Sequence, residues 1–109
     1  MQNTVIYFTE FSRQNGDIFT ESFPDYSQAL NQLENWIPEA KDEANKWDSI
    51  NGKQTCIRIY RYEGPELPEP IEMIEKAGLI EYYSISEIDF ELTETRETSR
   101  TFSQFPLNQ

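Results

Sequence analysis

Carboxylates are the chemistry this chain has in excess, and two groups of them are regularly spaced. Glu69, Glu72 and Glu75 recur every three residues, which lines them along one side of a helical turn. Glu87, Asp89 and Glu91 recur every two along the last expected strand, which stands three carboxylates on one sheet face about 7 Å apart, twice the strand rise. Evenly spaced negative charge at that pitch resembles a run of backbone phosphates. Like charges this close oppose folding unless water or a basic partner screens them. The plainer reading of the second group is an edge strand protected by charge against aggregation.

The rest of the inventory excludes much. The 109 residues include no histidine, which removes the usual general base, the partner of a nucleophilic serine or cysteine, and the commonest metal ligand. The one cysteine, Cys56, sits beside Ile57 in a strand-like run and reads as a small buried residue. It cannot form an internal disulfide, which suits a reducing, cytoplasmic setting. No glycine-rich phosphate loop, paired zinc ligands or EF-hand spacing occurs, so the sequence implies neither cofactor nor metal. An enzyme working through carboxylates alone is the minor alternative.

Charge bounds the partner. Twenty acids against nine Lys plus Arg give a formal net charge of −11. Residues 69–92 alone contribute −6, from seven acids and one base. Such a field repels DNA, RNA and anionic membranes and complements a basic protein surface. Arg58, Tyr60 and Tyr62 on one strand face form a basic-aromatic patch able in principle to stack bases, but packing suits them better within so acidic a chain. No apolar run approaches the length of a membrane span, and the N-terminus carries no export signal.

The elements that must position these residues follow from periodicity. Residues 4–12 alternate with apolar groups on both faces, as a central strand does. Asn15-Gly16 signals a hairpin into a second strand with Phe19 and Phe23 on one face. Ala29, Leu30, Leu33, Trp36 and Ile37 recur at helical spacing. Pro38 predicts a kink or a second helix running to about Trp47, with Glu39, Asp42 and Glu43 favoured near its positive N-terminus. Residues 54–63 form a strand with Thr55, Ile57 and Ile59 on one face. A stiff Pro-rich connector leads to a short helix that Gly78 would close in a left-handed cap.

Residues 79–92 read as one strand whose apolar parity changes near Ser86, calling for a bulge or break. Residues 93–109 read as a polar tail anchored by Phe102 and Phe105, or as a tail whose first half extends the last strand.

The expected fold is a single acidic α+β domain, 1–109, with an antiparallel sheet of about four strands in the order β-β-α-(α)-β-α-β and a kinked helical segment on one face. The expected function is a non-enzymatic inhibitor that binds a basic protein handling nucleic acid and blocks its site, either as an anti-defence inhibitor or as a nucleic-acid mimic. An immunity protein for a cognate toxin and a small adaptor subunit that binds through an uncharged sheet edge are the alternatives. The expected contact residues are Glu69, Glu72, Glu75, Glu87, Asp89 and Glu91, with Tyr82, Tyr83 and Trp47 as aromatic anchors.

Overall fold

A computed structural model describes residues 3–13, 16–51, 54–88 and 91–98, with 45–51, 87 and 88 described for the backbone alone. Strand β1 (Thr4–Ser12) pairs antiparallel on one side with β2 (Ile18–Phe23) and on the other with β3 (Thr55–Gly64). Its two apolar faces are both used, as the alternating sequence requires. The β1–β2 connection is a five-residue loop closed by Arg13 N–H to Asp17 C=O at 2.9 Å and Gly16 N–H to Arg13 C=O at 3.1 Å. Gly16 takes a φ of 101°, which a Cβ would disfavour.

Helix α1 (Tyr26–Asn51) is one helix through Pro38, rather than two segments meeting there. Ala29, Leu33, Ala40 and Ala44, all fully buried, give it a continuous stripe against Phe11, Ile57, Ile59, Tyr83 and Ile85. That unbroken burial outweighs the backbone hydrogen bond Pro38 cannot make. Because the helix begins at Tyr26, Glu39, Asp42 and Glu43 lie mid-helix, and no acid occupies its first turn. Their grouping therefore owes nothing to the helix dipole.

The opposite face of the sheet is covered in part by α2 (Pro70–Lys76), whose Met73 packs on Phe8 and Tyr62, with Leu67 of the connector alongside. Pro70 starts this helix. Ala77, in an extended conformation, ends it, and Gly78 opens the next strand rather than forming a left-handed cap.

Strand β4 (Gly78–Ile88) pairs with β3, and β5 (Glu91–Thr98) with β4, giving a five-stranded antiparallel sheet in the order β2-β1-β3-β4-β5. The architecture is α+β with two helices packed on the sheet, in the order β-β-α-β-α-β-β. The fifth strand resolves the parity change expected near Ser86: β4 runs through that position, and the chain reverses between Ile88 and Glu91. The irregularity within β4 lies earlier. Ile59 faces Glu81 and Tyr60 faces Leu79, leaving Ile80 as an extra residue that packs toward the α1 core. Phe102 and Phe105 lie outside the described residues.

Candidate partner-binding surface

The acids of α2 come from a helix too short to stand alone, held by Met73 beneath it. Glu69 and Glu75 are exposed and Glu72 is half-buried, in the first turn. The β-hairpin divides the other expected group. Glu87 is paired with Leu92 and Glu91 with Ile88, so positions 87 and 91 fall on opposite faces of the sheet. The three-carboxylate row of a single strand does not form, because the chain reverses within it. Asp89 lies outside the described residues. Sheet order also separates the two acidic groups: α2 lies over β1 and β3, while Glu91 belongs to the far edge strand, β5.

The expected aromatic anchors separate as well. Tyr83 is 1% exposed in the α1 core, and its hydroxyl donates to Glu94 at 2.6 Å. It cannot meet a partner. Burial, and then Glu94, push its pKa well above the ordinary tyrosine value. Tyr82 is half-buried on the other face under the Arg58 guanidinium, 5.5 Å from the ring centroid. Trp47 lies on α1 near its C-terminal end, and its side chain is outside the description.

The basic-aromatic patch is internally satisfied. Arg58 and the Tyr60 hydroxyl both donate to the Glu10 carboxylate, each at 3.4 Å. Tyr62 is buried against Met73, and its hydroxyl donates to the Pro65 carbonyl. Cys56 is buried with its sulfur 3.6 Å from the Tyr82 hydroxyl. With its guanidinium engaged by Glu10 and its flat face by Tyr82, Arg58 has little left for a phosphate.

The same holds for four other cations among the described residues, while exposed Lys76 of α2 has no such partner there. Arg13 pairs with Glu43 and Glu39, Lys41 with Glu94, Arg61 with Glu63, and Arg96 with Glu34 and buried Glu81. Glu43 is 5% exposed, and the hydrogen bond it accepts raises the Arg13 pKa further above its already high value. Tyr26 donates to Glu81 at 2.8 Å. By contrast Glu21, Glu66, Glu69, Glu72, Glu75, Glu91 and Glu97 engage no cation among the described residues. Surface charge left unneutralised is thus strongly acidic.

One feature of the surface escapes the periodicity of the sequence. Strand β2 is a sheet edge with Ile18 61% and Phe19 45% exposed, and each face of the sheet has a groove beside it. On the α1 side the groove, of about 300 Å³, is walled by Phe11, Phe19, Trp36, Glu21, Glu39 and Arg13. On the α2 side a groove of about 320 Å³ is walled by Phe8, Thr20, Ser22, Pro70, Ile71 and Ile74. The signal available in the sequence was a short strand, IFTESF, with two aromatics and a single charge. Its place at the edge depends on pairing partners distant in sequence.

Among the described residues no three carboxylate or thiol side chains gather as a metal site, and no helix is long and apolar enough to cross a membrane. Comparison of the chain with known protein families, curated proteins and solved structures finds no match.

Proposed function

We propose that this protein is a non-enzymatic binder of a basic protein surface, and that it acts as an inhibitor by covering a site where its partner handles nucleic acid. The observation that carries the reading is the asymmetry of unspent charge. Arg13, Lys41, Arg58, Arg61 and Arg96 are each consumed by an internal carboxylate, whereas Glu69 and Glu75 at α2 and Glu91 of β5 are left to solvent. A folded domain that neutralises five of its cations internally and leaves acids over presents a mainly negative surface. That sign steers encounter with Lys- and Arg-rich surfaces and suppresses encounter with nucleic acid. Anti-defence inhibitors, nucleic-acid mimics and immunity proteins for toxins are the functional classes this chemistry fits.

Affinity capture tests the reading, using the wild-type chain and the isosteric triple variant Glu69→Gln, Glu72→Gln, Glu75→Gln as baits at low salt. The expected outcome is a basic protein retained by the wild type and depleted with the variant, whose nucleic-acid binding or cleavage falls when the wild type is added. Retention of only acidic or neutral proteins, equally by both baits, overturns it.

A further inference from the structure

The two edges of this sheet are built differently. Strand β5 carries Glu91, Glu94, Arg96 and Glu97 along eight exposed or nearly exposed residues, the charged edge that resists pairing with another strand. Strand β2 carries one charge, Glu21, in six residues, has no further strand beside it among the described residues, and leaves Ile18 and Phe19 open. An edge of that kind invites strand addition unless something covers it. A strand added there sends successive side chains to opposite faces. Here each face already has a groove at the right place.

The grooves differ in chemistry. On the α2 side the lining is mainly apolar, from Phe8, Ile71 and Ile74, with Ile71 56% exposed. On the α1 side aromatic rings stand beside the carboxylates of Glu21 and Glu39. Arg13 shows what that second environment accepts. Its guanidinium lies 5.8 Å from the ring centroids of both Phe11 and Phe19 and pairs with Glu39 and Glu43. Cations over aromatic faces and next to carboxylates are favourable on both counts.

We propose that β2 is a docking edge for an extended basic segment of a partner protein, whose alternate side chains enter the two grooves, apolar ones toward Ile71 and Lys or Arg toward Glu21 and Glu39. The proposal rests on the reading that the partner is basic, and it adds where and in what conformation that partner is gripped. A second copy of this chain is the poorer occupant, since two molecules of charge −11 repel and β2 offers no cation to its twin.

The test uses two blocked hexapeptides of one composition, Lys-Val-Arg-Val-Lys-Val and Lys-Arg-Lys-Val-Val-Val, titrated into the nitrogen-labelled full chain. The alternating peptide is expected to bind at least about tenfold more tightly. Its amide shifts should centre on residues 18–23, and both Phe19→Lys and the surface change Ile71→Glu should weaken it. Ile71→Glu leaves the sheet untouched, so its effect is read even if Phe19→Lys unfolds the protein. Equal binding of both peptides, with shifts spread over α2 and β5, overturns edge docking while attraction to basic ligands stands. No binding by either at low salt overturns both. Shifts of residues 18–23 that appear on raising the protein concentration alone, with no effect of peptide, overturn the proposal in favour of self-pairing.

Discussion

Two buried acids show how single residues hold this fold. Glu43, on the buried side of α1, is held by Arg13 from the β1–β2 loop, and the Arg13 Nε and one Glu43 oxygen have no hydrogen-bond partner. Removing one member of a buried pair strands the other, so Arg13→Ala is expected to cost about 3 kcal/mol, the low end for such pairs because the Arg13 side chain is 22% exposed. The double variant Arg13→Met, Glu43→Met should be closer to wild type than either single change, as urea unfolding of the four proteins would reveal. Glu81 is the second such acid, capped by the Tyr26 hydroxyl. Burial, then the hydrogen bond to Glu81, raise the Tyr26 pKa from 10.0 to about 12, and burial and Glu94 raise that of Tyr83. The neutral phenols are favoured by folding, so their contribution is complete below the ordinary pKa of 10.0 and is lost as pH rises through the raised values. Thermal melts taken toward about pH 12 should show falling stability, and Tyr26→Phe should make the fall shallower. An identical slope in that variant would show that Tyr26 ionises without consequence.

Elements were legible in the sequence where the pattern was local. The strand at residues 4–12, its hairpin partner, the faces of residues 55–62 and the stripe from Ala29 to Ala44 all follow from period-two or helical spacing that one element satisfies alone. Pro38 misled because a proline's local cost is smaller than what continuous packing of the helix on the sheet from Ala29 to Ala44 supplies. The same logic predicts that Pro38→Ala stabilises the protein by about 1–3 kcal/mol, since the Glu34 carbonyl regains a donor and no packing is lost at an exposed position. Denaturant unfolding measures this directly, and a loss of stability would mean that Pro38 shapes α1 to the sheet. The hairpin of β4 and β5 was illegible for a different reason. Its alternation changes phase, and sequence cannot distinguish a bulge from a reversal when the residues between carry no Asn-Gly or Asp-Gly signal. That one ambiguity scattered the candidate site, since it decided whether Glu87 and Glu91 share a face. The β2 edge and its grooves were hidden because edges belong to sheets, and strand order comes from contacts between distant segments.

At the scale of the whole molecule, net charge sets both stability and recognition. A domain at −11 repels itself, and added salt screens that repulsion, so its melting temperature should rise between about 10 and 150 mM sodium chloride. A melting temperature that falls over this range would mean that ion pairs such as Arg96–Glu34 stabilise more than the surplus acids oppose. Binding must respond in the opposite sense, since screening weakens attraction to a basic partner. The most direct measurement of the central claim is therefore the affinity of the wild-type chain for its captured partner as a function of salt, beside that of the Glu69→Gln, Glu72→Gln, Glu75→Gln variant. Charge-driven recognition predicts that wild-type affinity falls at least about tenfold between about 50 and 200 mM salt, with a shallower dependence and a weaker low-salt affinity for the variant. Affinity that is independent of salt and equal in the two proteins would contradict it.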